Sequence, residues 1–121
     1  MIRALSLWVP VVVYMAAIFY VSSLEHPPVP PDIPDVRLHA AAYFGLMVVV
    51  TRALAHGTWA GVTGVTLGVA WLITVLYGAS DEWHQMYVPM RTAELHDLIA
   101  DAIGAFAAGI SLKAWVILRR S

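Results

Sequence analysis

The chain has 121 residues, 60% of them hydrophobic and only 12% charged, with a formal net charge of −1 and a mean hydropathy of +0.74. An ordinary globular domain is about one quarter charged and about 45–50% apolar, so this composition cannot cover a water-soluble surface, and it excludes a disordered chain and a nucleic-acid binder. The absence of cysteine removes disulfide frameworks and thiolate metal sites.

A helix crossing the hydrocarbon core needs about 20 apolar residues, and the chain carries four runs of that kind. The first extends from about Ala4 to Leu24, includes Pro10 and several aromatics, and holds no charge. Arg3 precedes it as in a signal peptide. However, the run exceeds the usual h-region of about 7–15 residues, and Val21-Ser22-Ser23-Leu24 lacks the small-residue cleavage pattern. A retained helix is expected. Between Glu25 and Pro34 stand five prolines. They cannot donate backbone hydrogen bonds or continue a helix, so an extended loop outside the hydrocarbon is expected there.

The second run, about Val36–Ala55, follows Pro34-Asp35, a breaker with Asp35 as the expected N-cap. It ends near Arg52, His56 and Gly57. The third run covers about 59–86, and its start carries the small-xxx-small pairs Gly57/Gly61 and Gly64/Gly68, which let helices approach closely. Val88-Pro89 closes it. The fourth covers about 94–118, with Gly104, Ala105, Ala108 and Gly109 as another small-residue face. The reading is one all-α integral membrane domain over residues 1–121, an up-and-down bundle of four transmembrane helices. Arg3, Arg52, Lys113, Arg119 and Arg120 lie at one set of helix ends, against Arg37 and Arg91 at the other. That asymmetry places both termini in the cytoplasm.

Ionisable side chains are costly at membrane depth, about 2.5–3.5 kcal/mol each at a helix centre by insertion scales. Most of those here collect at three helix ends. Asp35, Arg37, His39 and Tyr43 open the second helix; Tyr77, Asp81, Glu82, His84 and Gln85 close the third; Arg91, Glu94, His96, Asp97 and Asp101 surround the start of the fourth. In an up-and-down bundle those ends share one side of the membrane, the extracytoplasmic side in the orientation above. Helical spacing sharpens the pattern. Tyr77, Asp81, His84 and Gln85 fit within roughly a 100° arc, with Glu82 just beyond it and Trp83 and Leu76 pointing away. Asp97, Asp101, Gly104 and Ala108 form a similar stripe, and His39 and Tyr43 are an i, i+4 pair. Three polar stripes at one depth point to a shared interior pocket.

Several residues have ordinary readings. Glu94 and His96 suit a solvated helix entrance, His26 a solvated loop, and His56 an interfacial position. Arg52 suits a positive-inside anchor near a negative helix C-terminus. Trp59, Tyr87 and Trp115 fit an aromatic belt. The alternative for the whole cluster is a structural lock that holds helix register.

Asp81-Glu82-x-His84-Gln85, then Val88-Pro89-x-Arg91, then Asp97-x-x-x-Asp101-x-x-Gly104, resembles the VanZ-like family. The upstream Asp35-x-x-x-His39-x-x-x-Tyr43-Phe44 is similar to that family's second block. The chain departs from the pattern at Val36, where Lys is usual and Arg37 follows instead, at Met90 in place of Gly, and at Asp101 in place of Asn. The resemblance implies a small, multi-pass protein of the bacterial cytoplasmic membrane. It also implies a link to teicoplanin susceptibility, with which the family's namesake is associated.

Three kinds of chemistry suit these residues. The first is binding of, or action on, the head group of an envelope lipid or cell-wall precursor. In that reading His39, Asp81, His84 and Asp97 are the catalytic candidates, and Asp35, Tyr43, Glu82, Gln85, Arg91 and Asp101 are binding candidates. His84 and His39 would do acid–base work. Helix N-termini and Arg91 would meet an anionic group of a lipid or lipid-linked precursor. The second is a divalent-metal site built from His39, Asp81, His84 and Asp97. The third is a non-catalytic transport or assembly subunit, in which the small-residue faces permit a homo-oligomer.

Overall fold

The computed structural model describes residues 1–30 and 32–120; Pro31, one of the five loop prolines, and Ser121 lie outside the described residues. Four helices follow in order, α1 (Ile2–Ser22), α2 (Asp35–Leu54), α3 (Gly64–Gln85) and α4 (Leu95–Arg120). All are long and apolar enough to cross a membrane, and the described residues contain no strand. The bundle runs up and down. Arg3 near the start of α1 reaches His56 beyond the end of α2, and Tyr14 in mid-α1 reaches Ala42. Trp71 of α3 bonds the carbonyl of Ala102 in α4, while Glu82, one turn from the end of α3, meets Glu94 just before α4.

The helix α2 is the hub, packing against the other three. Its buried residues Tyr43, Leu46, Met47 and Val50 recur at the i, i+3, i+4, i+7 spacing that gathers one helical face. Opposite them lie the buried Gly104, Ala105 and Ala108 of α4. A methyl group on Gly104 would overlap the backbone carbonyl of Ala40. The two backbones therefore touch there, which gives the dispersion contact that joins helices when lipid removes the hydrophobic drive.

The helix α1 is held by a narrow apolar strip and by polar bonds to its neighbours. Only Leu7, Val11 and Ser22 of this helix are buried, and its other face is a row of exposed valines and aromatics suited to acyl chains. Pro10 lies inside the helix, where its missing N–H leaves the carbonyl of Ser6 without its usual i+4 donor. Arg52 fills that gap: its Nη1 donates to the Ser6 carbonyl at 3.1 Å. Further along, the Tyr14 hydroxyl donates to the Ala42 carbonyl at 2.7 Å and the Tyr77 hydroxyl to the Met15 carbonyl.

Three expectations change. Asp35 is not an N-cap: Pro34 holds that position without a side-chain bond, and Asp35 is the first helical residue, which turns its carboxylate towards the next turn of α2. The helix α3 starts at Gly64 rather than near Trp59. His56 and Gly57 take positive φ values of 55° and 72°, residues 58–63 turn, and Thr63 caps α3 by accepting from the amide of Thr66. Gly61 packs against the Ala55 carbonyl in that turn, and the space in front of Gly64 and Gly68 is open. Neither glycine pair therefore joins α3 to another helix of this chain. The close approaches fall instead at Gly45, against the Tyr14 ring; at Gly78, against Asp101; and at Gly104.

Candidate functional site

Alternating helix direction brings the end of α1, the start of α2, the end of α3 and the start of α4 to one end of the bundle. Their polar residues meet there in two adjoining groups.

The first is centred on His39. Its Nδ1 lies 2.7 Å from Oδ1 of Asp101, and since a carboxylate has no proton to give, the ring nitrogen donates. Its Nε2 lies 3.6 Å from Oδ2 of Asp35 and 3.7 Å from Oδ2 of Asp97. Asp35 and His39 are one turn apart on α2, and Asp97 and Asp101 one turn apart on α4. Four side chains thus interlock two against two. Glu82 joins them from α3. One of its oxygens, Oε2, accepts the backbone N–H of Glu94 at 3.1 Å, while Oε1 is buried with no hydrogen-bond partner. Asp101 is fully buried, and its Oδ2 is equally unpartnered. The ring of Tyr43 lies parallel to that of His39 at a centroid distance of 6.4 Å, and its hydroxyl is buried without a partner.

The second group bridges α1 and α3. Ser22 donates to Oδ2 of Asp81 at 2.8 Å. Oδ1 of Asp81 and Nδ1 of His84 face each other at 4.0 Å, beyond hydrogen-bond length, and both are otherwise unpartnered. His84 stacks on Phe19 with ring centroids 4.1 Å apart, and its Nε2 lies 3.4 Å from the Ser23 hydroxyl. Arg91 donates to the carbonyl of Leu24 at 3.0 Å.

A cavity of about 320 Å³ opens between α1 and α2 alongside both groups. Ala17, Ile18, Val21, Leu38 and Ala42 form an apolar wall, and Asp35, His39, Asp81, Gln85 and Arg91 form a polar one. Pro27 and Val29 of the proline loop complete the lining.

Against the sequence reading, Trp83 and Leu76 do point away, 64% and 60% exposed. Glu82, placed beyond the polar arc by spacing alone, is only 8% exposed and belongs to the His39 group. The four expected metal ligands do not gather as one set. Among the described residues, ligand atoms lie within 4.8 Å of one another in two triads, Asp35–His39–Asp97 and His39–Glu82–Asp101. Asp81 and His84 stand apart from both, tied to α1. Glu94 and His96 are exposed and 3.9 Å apart, as suits a helix entrance. The partners from α1, namely Phe19, Ser22 and Ser23, escaped the sequence reading because that run carries no charge. The Ser22-Ser23 pair closing it was the one available signal.

Four apolar spans around a cluster of buried carboxylates and half-buried imidazoles define a multi-pass membrane protein with an interior polar site. The profile of the VanZ/LLP1 family matches residues 5–117, nearly the whole chain, and the protein belongs to that family. No curated protein and no solved structure matches it significantly.

Proposed function

We propose that the cavity between α1 and α2 takes an amphiphile of the bacterial envelope, a phospholipid or a polyprenyl-phosphate-linked cell-wall precursor, from the outer leaflet of the cytoplasmic membrane. The observation that carries this reading is the two-sided lining. An apolar wall two helical turns deep suits an acyl or prenyl chain, and the wall beside it ends in Arg91, His39, Asp35 and Asp81. Arg91 offers a phosphate partner at the rim, beside the N-terminus of α2. The carboxylates suit hydroxyl or ammonium groups of the head. The surplus of Lys and Arg at the opposite helix ends supports the outward placement. An influence on teicoplanin susceptibility follows if the bound head group belongs to a precursor that the drug meets outside the membrane.

Native mass spectrometry of the protein extracted in its own lipids tests this. A phospholipid or polyprenyl phosphate should co-purify with the wild type and be lost in Arg91→Ala. Release of the same lipids by both proteins rejects the site.

A second reading, a structural lock, is favoured by the bonds that cross helices, His39–Asp101 between α2 and α4 and Ser22–Asp81 between α1 and α3. His84→Ala and Asp81→Asn separate the two. Loss of a drug-tolerance phenotype at unchanged membrane abundance supports the site, and parallel loss of protein supports the lock.

A further inference from the structure

We infer that His39, Glu82 and Asp101 bind one divalent cation inside the bundle, where α2, α3 and α4 converge. This goes beyond the amphiphile reading and does not depend on it.

Each of the three offers a ligand atom, and those atoms lie within 4.8 Å of one another. An acidic cluster alone would not specify an ion. Here, however, two oxygens in it are both hidden and idle. Asp101 is 0% and Glu82 8% exposed, and Asp101 Oδ2 and Glu82 Oε1 have no hydrogen-bond partner. Water is shut out and no donor replaces it, which is the arrangement a buried carboxylate tolerates least. Nor does a fixed cation compensate. Among the described residues Asp101 pairs with His39 alone and Glu82 with no Lys or Arg, and Arg91 spends its Nη1 on a carbonyl.

The unpartnered oxygen of Asp101 lies against the face of α3 that carries Glu82. Asp101 Oδ2 faces α3 at Gly78, where an added methyl group would come within 2.8 Å of it and 3.2 Å of the Tyr43 ring. Glycine keeps that side of the oxygen clear, and Glu82 stands one turn further along the same helix. The 2.7 Å contact of His39 Nδ1 with Asp101 Oδ1 holds one proton. In the imidazolium form, with a proton on each ring nitrogen, a cation takes the place of the Nδ1 proton, the gap opening slightly; that proton leaves to solvent and Nε2 keeps its own. The other ring nitrogen then points its N–H at Asp35 and Asp97, 3.6 and 3.7 Å away. Carboxylate partners of this kind orient a ligating imidazole. One nitrogen with two carboxylates favours Zn²⁺ or Mn²⁺ over the all-oxygen preference of Ca²⁺.

The full-length protein, purified in detergent and stripped with EDTA, is dialysed against Zn²⁺ or Mn²⁺ in separate arms, desalted, and its metal measured by mass spectrometry. The expected result is about one ion per chain for at least one metal, lowered about tenfold or more in Glu82→Gln and in Asp101→Asn. His96→Ala and His56→Ala, which remove outlying histidines, should keep the ion. In the Mn²⁺ arm, pulsed electron paramagnetic resonance of the wild type should show coupling to an imidazole nitrogen, a readout that needs no variant to fold. A wild type that retains no stoichiometric ion overturns the inference. So does retention in both carboxylate variants, or retained Mn²⁺ without nitrogen coupling.

Discussion

The imidazole of His39 and the carboxylate of Asp101 meet 2.7 Å apart across the contact between α2 and α4, in the same layer where Gly104 lets the two backbones touch. The bond and the close approach depend on each other: a wider helix separation would break the bond, and the bond sets the register in which Gly104 faces Ala40. Asp101→Ala should leave His39 facing Asp35 and Asp97 without its principal partner. His39→Ala should leave Asp101 buried with no partner at all. Removing one member of a buried pair costs about 3–5 kcal/mol, so thermal unfolding in detergent should show His39→Ala as severely destabilised and Asp101→Asn, which keeps an acceptor, as much milder. Equal melting temperatures for His39→Ala and the wild type would contradict the pairing.

Arg52 does more than mark the side of the membrane that carries positive charge. Its bond to the Ser6 carbonyl supplies the donor that Pro10 withholds. Arg52→Leu should therefore cost about 0.5–1.5 kcal/mol, the net worth of one hydrogen bond. In a Pro10→Ala background the alanine N–H reaches Ser6, and the same substitution should cost measurably less. A double-mutant cycle by chemical unfolding in mixed micelles reads the coupling. A zero coupling energy would show that the arginine contact is incidental.

The glycines divide into two classes that a substitution series can separate. Gly104→Val should disrupt the contact of α2 with α4, because even a methyl group there overlaps the Ala40 carbonyl. Overpacking of that kind costs about 1–3 kcal/mol or more. Gly64→Ala and Gly68→Ala meet open space and should be neutral or stabilising by about 0.4–1 kcal/mol through reduced freedom of the unfolded chain. If the two α3 substitutions instead abolish a dimer band on cross-linking, those glycines face a second copy of the chain.

The absence of cysteine makes orientation directly measurable. Glu25→Cys in the proline loop and Ala60→Cys in the turn before α3 lie at opposite ends of the bundle. With the termini in the cytoplasm, an impermeant maleimide added to intact cells should label the first and spare the second. The reverse pattern would move the polar site to the cytoplasmic side and end the outer-leaflet reading.

Much of the architecture was readable because the bilayer restricts the choices. Apolar runs of span length had to be helices, and the prolines between Glu25 and Pro34 had to lie outside them. Failures came where a local signal competed with a neighbour. Asp35 is a good cap by residue type, but Pro34 takes the cap position and leaves Asp35 its place opposite His39. The stretch from Trp59 reads as helix by hydropathy, but Gly57 and Gly61 turn the chain there and Thr63 supplies the actual start.

Composition and helical period by themselves determined that four helices are long and apolar enough to cross a membrane and that their polar residues gather at one end of the bundle. Both depend only on quantities carried along the chain: length, hydropathy and alternating direction. Tertiary structure alone decided that Glu82 turns to His39 while His84 turns to Phe19 and Ser23, and that α1, uncharged throughout, lends Ser22 to Asp81. The reason is rotational. A period of about 3.6 residues per turn tells which side chains share a face, but how far each helix is turned towards its neighbours is set by where small residues let backbones touch.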